Sequence, residues 1–271
     1  MHGAQGNRER PAAEVILLGT GAALPTAERD NTALVVVGPE TVLLVDCPGA
    51  AYAKLLRAGV DPQRLTHVLL THVHTDHSAG LPGLLQSLWL GGRTAPLPIL
   101  GLPDVQALVD GALATFRPFG DRSPFALPRQ VLPLVASTAP VLETADFRVW
   151  TTPGDHSVPS VAVRVEAKAG GAVVYSSDTR PCATVRELAR GATLLVHEAT
   201  FLGHDAELAA RHAHSTGAQA ARLAQEAGVR RLALVHFTPR AAGELARLRE
   251  EAAAEFGGEV IAPSDLARFT V

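Results

Sequence analysis

The sequence predicts an α/β protein in which layered β-sheets are covered by helices on their outer sides. Short β-rich runs dominate the first half of the chain, and strands alternate with helical stretches in the last third. Sheets packed face to face with helices outside bury the apolar faces of both kinds of element. The 271 residues, 47% of them hydrophobic, suffice for a large core. We therefore expect one compact domain over residues 1–271.

The first half predicts a series of strands and helices that end at recognisable turns. Gly38 and Pro39 separate two strands, and Gly91 with Gly92 ends an apolar stretch with helical spacing. The predicted strands are Val15–Leu18, Ala33–Val37, Thr41–Val45, His67–Leu70 and Leu97–Leu100. The predicted helices are Tyr52–Ala58, Leu81–Leu90 and Pro103–Phe116, the last of which opens with proline and aspartate.

The segment Arg117–Arg129 interrupts this pattern with prolines, glycine, three arginines and two phenylalanines. Loops of this length are uncommon in compact domains unless they have a function, so we expect a lid that shapes a pocket entrance. Beyond it, the predicted strands are Val131–Val135, Phe147–Thr151, Val161–Glu166, Ala172–Tyr175, Leu194–Val196 and Leu232–Val235. The predicted helices are Pro181–Arg190, Thr216–Ala227 and Gly243–Phe256.

Composition limits the class and location of the protein. No stretch reaches the roughly 18–20 apolar residues of a membrane span, and the polar N-terminus lacks the apolar core of a secretory signal. Cys47 and Cys182 lie far apart, so we expect no disulfide framework and a reducing, cytoplasmic location. The formal net charge of −3 gives no support for an extensive nucleic-acid-binding surface.

The most informative segment is the run THVHTDHS at residues 71–78, which follows an apolar strand and precedes a helix. His72, His74, Asp76 and His77 therefore lie on a strand-to-helix loop, where rigid sheets present reactive groups. Three imidazoles and one carboxylate within six residues are typical of a site for zinc, although manganese or iron also accept these ligands. The alternative, a histidine-rich surface loop, is disfavoured by the preceding apolar strand.

Further polar residues follow later apolar strands in the same way. They are His156 in TTPGDHS, Asp178 in YSSDTR and His236 in LVHFTPR. One loop cannot supply all the ligands for the coordination spheres of two metal ions, so further ligands are needed from the ends of other strands. The sequence therefore predicts a metal site to which several separate loops contribute.

This order of motifs resembles the metallo-β-lactamase superfamily, whose fold is a four-layer αββα sandwich with metals at the sheet edges. Within that superfamily the similarity is greatest to ribonuclease Z, and it extends over most of Val15–Arg240. The motifs that carry it are LLGTGAALPTAERDNTAL, THVHTDHSAGLPGLL, YSSDTRP, LLVHEATF, HAHST and LVHFTPR, in this order.

The resemblance implies a hydrolase with two zinc ions that cleaves phosphodiester bonds. His72, His74 and His156 would hold one ion, Asp76, His77 and His236 the other, and Asp178 would bridge both. A hydroxide between the ions would be the nucleophile, because metal-bound water ionises near neutral pH. Asp76 is counted among the candidate catalytic residues as well as among the ligands.

The resemblance also assigns roles outside the ligand set. The HEAT and HAHST motifs imply that Glu198 orients His214, which would donate a proton to the leaving oxygen. Asp46 resembles the buried carboxylate that hydrogen-bonds the metal loop. Within the resemblance Gly19–Gly21 is a tight turn near the metals, where Arg29 would meet a phosphate. The remaining histidines considered are expected to be structural or solvent-facing: His67, His197, His204 and His212.

Two departures from ribonuclease Z concern the substrate. His156 and Asp178 are only 22 positions apart, and two predicted strands with a Gly170–Gly171 turn fill the interval, so the projecting arm that grips tRNA is missing. A Gly-Glu-Gly-Thr turn is replaced here by Cys47–Ala51, which removes its glutamate. Phosphodiester chemistry is thus better supported than tRNA maturation. A tRNA 3′-end endoribonuclease and a phosphodiesterase for small or cyclic substrates both remain open.

Other activities on the same fold are disfavoured by particular residues. Lactonases, thioesterases and sulfatases of the superfamily generally lack the HEAT and HST motifs. The di-iron redox branch replaces the second loop histidine with glutamate, whereas position 74 is histidine. A non-catalytic, zinc-stabilised protein would usually have cysteine ligands, and no predicted ligand is cysteine. Relatives often dimerise, so a homodimer is compatible, although no residue in the sequence identifies its interface.

Overall fold

The computed structural model describes residues 13–120 and 124–271, and its strands form two sheets. The strands of the first sheet are β1 (Glu14–Gly19), β2 (Ala33–Val37), β3 (Val42–Val45), β4 (His67–Leu69), β5 (Ile99–Gly101), β6 (Arg129–Val131) and β14 (Arg268–Thr270). Their order is β14-β1-β2-β3-β4-β5-β6. Pairing is antiparallel from β14 to β3 and parallel from β3 to β6.

The second sheet combines antiparallel and parallel pairing in the same manner. Its strands are β7 (Leu142–Glu143), β8 (Phe147–Pro153), β9 (Val161–Ala167), β10 (Ala172–Tyr175), β11 (Leu194–Glu198), β12 (Arg231–Val235) and β13 (Glu259–Ile261). Strands β7 to β10 pair antiparallel, and β10 to β13 pair parallel. Strand β8 therefore runs in the same direction as β10, so the carboxyl ends of β8, β10, β11 and β12 meet at one edge.

Helices connect the strands and cover the sheets. They are α1 (Ala51–Arg57), α2 (Thr75–Ser78), α3 (Leu81–Leu90), α4 (Pro103–Phe116), α5 (Ala183–Ala189), α6 (Ala206–Arg211), α7 (Gly217–Ala227), α8 (Pro239–Gly243) and α9 (Leu245–Ala253). Local chemistry sets the bounds of α7, because Thr216 and Gln219 form a capping box and Gly228 ends the helix at φ 64°.

Alternate residues along the strands face different parts of the core. In β10, Val173 and Tyr175 join the cluster between the two sheets, whereas Val174 packs with the outer helices. In β11, Leu194 joins the cluster between the sheets and Leu195 packs with the outer helices. Because side chains of a strand point alternately to its two faces, each sheet is buried on both sides. The predicted arrangement of two sheets between two helical layers is confirmed.

Several boundaries differ from the sequence-based prediction. The strand predicted at Val131–Val135 is wrong beyond its first residue, because β6 ends at Val131. Leu132 N still donates to Gly101 O at 2.8 Å, but Pro133 has no N–H with which to continue the ladder. The helix predicted at Gly243–Phe256 is the shorter α9, preceded by α8. The short strands β7, β13 and β14 were not predicted, because each has only two or three residues and one of them is charged, which leaves no apolar run.

The segment between α4 and β6 is anchored by aromatic residues. Phe119 and Phe125 are buried, and their ring centroids lie 5.1 Å apart. Trp89 contacts Phe119 edge to face at 6.3 Å, and the Arg93 guanidinium lies over Phe125 at 5.5 Å. Residues 121–123 of the predicted lid lie outside the described part of the chain. These contacts tie the segment to the end of α3 and the loop after it, and its role as a lid stays a prediction.

The interval between His156 and Asp178 holds β9 and β10, joined by a tight turn. Gly170 and Gly171 form that turn at φ 116° and 83°, in the region that favours glycine. Only residues 168–171 lie between the two strands, so no arm projects from this hairpin. Across residues 13–120 and 124–271, no helix combines the length and apolarity that crossing a bilayer requires.

Candidate metal centre

Several loops leave their strands through residues in the left-handed region of backbone space. Asp46 follows β3 with φ 63°, Ser177 follows β10 with φ 52°, and His236 follows β12 with φ 63°. Non-glycine residues seldom adopt these angles, and such strain concentrates at functional sites. Here all three residues lie where the two sheets meet, at the carboxyl ends of their strands.

Asp46 organises the loop that carries the H-x-H-x-D-H motif. Its buried carboxylate accepts hydrogen bonds from Thr71 N and Thr71 Oγ1, both at 2.9 Å, and lies 2.8 Å from His77 Nδ1. The hydroxyl of Tyr175, from the opposite sheet, donates to the same carboxylate at 3.3 Å. Because Nδ1 of His77 is hydrogen-bonded to Asp46, Nε2 is the ring nitrogen that remains available to bind a metal ion.

His156 and His236, which lie far from the first loop along the chain, are also oriented by contacts at their Nδ1 atoms. His156 Nδ1 lies 3.0 Å from the carbonyl oxygen of Ala213, and His236 Nδ1 lies 2.9 Å from Thr200 Oγ1. A carbonyl oxygen can only accept, so His156 must carry its proton on Nδ1. Nε2 of His156, which lies 3.2 Å from His74 Nδ1, is then the nitrogen with which His156 would bind a metal ion.

The structure brings all seven sequence-predicted ligands together in two groups. Within each group, one potential ligand atom per residue lies within 4.8 Å of those of the others. The first group is His72, His74, His156 and Asp178, and the second is Asp76, His77, Asp178 and His236.

Asp178 belongs to both groups, and its two oxygens face different ones. Oδ1 lies 3.5 Å from His77 Nε2 and 3.3 Å from His236 Nε2. Oδ2 lies 3.7 Å from His72 Nε2 and 3.8 Å from His156 Nε2. One carboxylate thus stands between two sets of imidazole nitrogens.

Unpaired buried atoms converge on this point. His77 Nε2, His236 Nε2 and Asp178 Oδ1 are buried and have no hydrogen-bond partner within the described residues. Leaving such atoms unpaired in the interior is costly, and a bound cation would remove the cost. Imidazole nitrogens and carboxylate oxygens are also suitable donors for a transition-metal dication. The residues present are therefore compatible with metal binding.

Crowding shifts the proton equilibria of these groups in opposite directions. Burial, assisted by neighbouring His77, holds the pKa of His72 well below its ordinary value. Burial would also lower the pKa of His77, but Asp178 and Asp46 outweigh it and raise that pKa well above the ordinary value. Burial would raise the pKa of Asp178, yet His236 and His77 hold it well below normal. Asp178 is therefore ionised, which is the form that binds metals.

Glu198, at the end of β11, is a second buried carboxylate beside these groups. Oε1 accepts from Thr179 N and His214 Nδ1, each at 2.8 Å. Oε2 accepts from Thr200 Oγ1 at 2.6 Å and from Ser215 N at 3.0 Å. This number of donors fixes the carboxylate and, through it, the ring of His214.

His214 stands next to ligands of both groups. Its ring centroid lies 5.0 Å from that of His156 and 5.3 Å from that of His236. Burial lowers the pKa of His214, but Glu198 and more distant carboxylates raise it to about 9. With Nδ1 directed at Glu198, Nε2 is the atom from which a proton can be transferred.

Arg29 has a different environment from the one expected. Arg29 is 9% exposed, and its guanidinium donates to Thr20 Oγ1 at 2.5 Å and to Pro263 O at 2.6 Å. It also lies 5.0 Å from the ring centroid of Phe237, next to His236. These contacts favour a role in bracing the loops over contact with a phosphate.

The other histidines of the described residues and the two cysteines lie outside the two groups. His67 contacts Thr66, the exposed His212 stacks on Phe201, and His204 lies beside Arg240. His197 is buried on the other face of β11 and contacts the Glu198 carbonyl. Within the described residues, neither Cys47 nor Cys182 joins a metal-ligand group.

Three orienting groups were not identified from the sequence. Thr200 contacts both Glu198 and His236, Tyr175 contacts Asp46, and the Ala213 carbonyl contacts His156. Thr200 lies within the HEAT motif, which offered a signal. A backbone carbonyl has no sequence signature, so the role of Ala213 depends on the fold.

Comparison with known sequences places these features in a family context. Residues 41–237 match the Beta-lactamase superfamily domain. Ribonuclease Z of Methanothermobacter thermautotrophicus is 31% identical over an alignment of 274 positions that covers 84% of this chain and 87% of that protein. Ribonuclease Z of Thermobifida fusca is 32% identical over an alignment of 306 positions that covers 95% of this chain and 94% of that protein.

Solved structures give the same picture. The short form of human tRNase Z (ELAC1) superposes with a TM-score of 0.78 at 26% identity, over 95% of this chain and 99% of that one. The metallo-β-lactamase-fold protein YhfI of Bacillus subtilis also has a TM-score of 0.78, at 25% identity, over 96% of this chain and 99% of that one. The αββα layers described above are thus shared by both proteins along almost their entire length.

Proposed function

Because this chain belongs to the ribonuclease Z family of the beta-lactamase superfamily, we propose that it is a binuclear zinc hydrolase that cleaves phosphodiester bonds. The observation that carries the proposal is the position of Asp178, whose two oxygens face two separate sets of histidines. A single ion would use only one of these sets. A shared carboxylate between two ions accounts for both.

The ligand sets follow from the two groups. His72, His74 and His156 would hold one ion, Asp76, His77 and His236 would hold the other, and Asp178 would contribute to both. Zinc is preferred because imidazole and carboxylate donors suit it, although manganese or iron would fit the same donors. When bound, the two ions supply an ionised water near neutral pH and neutralise charge on the phosphoryl oxygens.

The chain's own residues supply the proton that the leaving oxygen needs. Glu198 holds the ring of His214 through Nδ1, and Nε2 of His214 donates to the leaving oxygen. Thr200 links this pair to the metal ligands, because its hydroxyl contacts both Glu198 and His236. Asp76 acts as a ligand whose ionised form is favoured: burial would raise its pKa, but a hydrogen bond to His236 and nearby His77 lower it to about 2.

We propose a nucleotide-containing phosphodiester as the substrate, either an RNA 3′ end or a small or cyclic diester. The relatives named ribonuclease Z support RNA. The short β9–β10 hairpin stands where an arm would project, so tRNA must be held differently if it is the substrate. The alignment with the Methanothermobacter relative is 274 positions long but covers only 84% of the 271 residues of this chain. The excess positions indicate inserted segments in that relative.

We also propose that the chain is a single cytoplasmic hydrolase domain. One hydrophobic cluster includes residues of both sheets and of α1, α3 and α4, so the sheets share a core. Cys47 and Cys182 are free thiols, which suits a reducing compartment.

The test is turnover of bis-p-nitrophenyl phosphate and of a precursor tRNA with a 3′ extension by zinc-loaded protein. Asp76→Ala is the ligand variant, and His212→Ala, outside both ligand groups, is the control. Cleavage of both substrates, lost in Asp76→Ala alone, would support a tRNA-processing enzyme. Cleavage of the small diester alone would support a small-phosphodiester enzyme. If zinc-loaded protein cleaves neither, the proposal is wrong, and lactones and thioesters become the next substrates to measure.

A further inference from the structure

Ser177 occupies a position whose backbone is suited to glycine. It lies between β10 and Asp178, is fully buried, and has φ 52°. A side chain is strained in this left-handed conformation, and glycine would avoid the strain. Two other residues that leave strands in this way, Asp46 and His236, each place a functional side chain in the site. We therefore expect the side chain of Ser177 to make a contact that glycine could not make.

The hydroxyl of Ser177 makes a hydrogen bond between the two sheets. Ser177 Oγ donates to Thr71 Oγ1 at 2.8 Å, and Thr71 Oγ1 in turn donates to Asp46 Oδ1 at 2.9 Å. The same Thr71 oxygen lies 3.0 Å from His72 Nδ1. A hydroxyl can donate once and accept twice, so Ser177 and His72 fill the acceptor capacity of Thr71.

We propose that Ser177 is a positioning residue that fixes the loop of Asp178 against the loop of His72 and His77. Asp178 follows Ser177 directly, so a bond from Ser177 to Thr71 sets where the shared carboxylate stands relative to the imidazoles of the first sheet. The inference rests on the proposed metal centre. It adds that the position of the shared carboxylate relative to these imidazoles is maintained by a hydroxyl that coordinates no metal.

A second contact extends the connection into the second sheet. Ser160 Oγ, just before β9, lies 3.4 Å from Ser177 Oγ and 3.4 Å from the Asp178 carbonyl oxygen. The buried path Ser160–Ser177–Thr71–Asp46 thus crosses from one sheet to the other beneath the candidate metal centre. Groups that orient ligands in this way commonly change metal affinity by about 10- to 100-fold when they are removed.

Two substitutions separate the hydroxyl from the backbone strain. Ser177→Ala removes the hydroxyl and keeps the strained Cβ, whereas Ser177→Gly removes both. We expect both variants to bind zinc about 10-fold more weakly than the original protein in competition with a chromophoric chelator. We expect the metal-free Ser177→Gly protein to melt at a higher temperature than Ser177→Ala, because only glycine is unstrained here. Turnover lost at limiting zinc should return at saturating zinc.

Thr41→Val is the matched control, because it removes a buried hydroxyl that bonds Thr144 Oγ1 far along the sheet from the ligands. It should leave zinc affinity unchanged. The proposal is overturned if Ser177→Ala binds zinc as tightly as the original protein, if Ser177→Gly alone retains full affinity, or if Thr41→Val weakens binding equally. Since the readout is zinc affinity, failure of phosphodiester cleavage does not affect it, whereas an original protein that binds no zinc overturns both proposals.

Discussion

The imidazole of His156 and the backbone carbonyl of Ala213 form a hydrogen bond of 3.0 Å that joins the ligand set to the candidate proton donor. Ala213 has φ 60° and immediately precedes His214, so its left-handed conformation directs the carbonyl to His156 while His214 faces Glu198. Displacement of this turn would therefore disturb a candidate ligand and the candidate proton donor together.

Replacement of His214 with asparagine should reduce turnover without removing metal. Asparagine is of similar size but cannot donate a proton as a general acid, a contribution worth about 10²- to 10⁴-fold in rate. The loss should be large for an RNA diester, whose alkoxide leaving group needs a proton, and small for bis-p-nitrophenyl phosphate, whose phenolate does not. Steady-state kinetics on both substrates and zinc content per chain provide the measurements.

The variant Glu198→Gln, alone and combined with His214→Asn, tests whether the two residues act together. Because Glu198 and His214 act as a unit, the double variant should be no slower than the slower single variant. His212→Ala should remain fully active, since His212 stacks on Phe201 outside both ligand groups. Multiplicative losses in the double variant would contradict the pairing.

Replacement of Asp46 with asparagine should destabilise the whole fold. The buried carboxylate accepts hydrogen bonds from Thr71 and Tyr175 and pairs with His77. In asparagine one carboxylate oxygen becomes an amide NH₂ group, which donates hydrogen bonds and cannot accept them from these partners. Breaking a buried pair of this kind lowers the free energy of unfolding by about 3–5 kcal/mol. Urea denaturation of the metal-free protein measures the effect.

Asp61→Asn is the matched control for Asp46→Asn. Asp61 caps the short turn Pro62–Arg64 by accepting from Gln63 N at 3.0 Å, and asparagine caps equally well. Its unfolding free energy should stay within about 0.5 kcal/mol of the original value. A loss for Asp46→Asn no larger than that of Asp61→Asn would refute the structural role of Asp46.

The two groups of candidate ligands were predictable from sequence because each polar residue follows a buried β run, a pattern that survives errors in strand boundaries. His156, Asp178 and His236 were found in this way although they lie far from the first loop along the chain. Strand β10 was likewise predicted from the apolar run Ala172–Tyr175. The same criterion overextended β6, because Val131–Val135 is apolar enough for a strand but contains Pro133.

The orienting contacts could not be predicted because they depend on tertiary packing. Ser177 and Thr71 are 106 positions apart, and small hydroxyl residues are common throughout the chain. Similarly, the expectation for Arg29 followed from its proximity in sequence to a glycine turn. The carbonyl of Pro263, 234 positions away, engages its guanidinium instead.

Removal of zinc should lower the melting temperature of the protein. The unpaired atoms of His77, His236 and Asp178 gain partners when an ion binds, and binding to the folded state alone stabilises it by about 2.7 kcal/mol at 100 times the dissociation constant. Calorimetric scans with zinc and with excess chelator measure the difference. Asp178→Asn should abolish most of it, whereas identical scans for the original protein with and without zinc would exclude a metal site.

Gly80 and Gly83 should respond in opposite ways to replacement by alanine. A Cβ at Gly80 would stand 1.8 Å from Pro48 O, and Gly80 N also donates to Cys47 O at 2.8 Å, so the helix start is held against the loop after Asp46. Gly80→Ala must push that loop away, which should lower the free energy of unfolding by roughly 1–3 kcal/mol and weaken zinc binding through His77. Gly83 lies inside α3 with no atom near its added Cβ, so Gly83→Ala should stabilise the protein by roughly 0.5–1 kcal/mol and leave zinc affinity unchanged. Urea denaturation and chelator competition on both variants decide the matter, and equal effects at the two positions would show that the close contact between Gly80 and Pro48 does not position the metal loop.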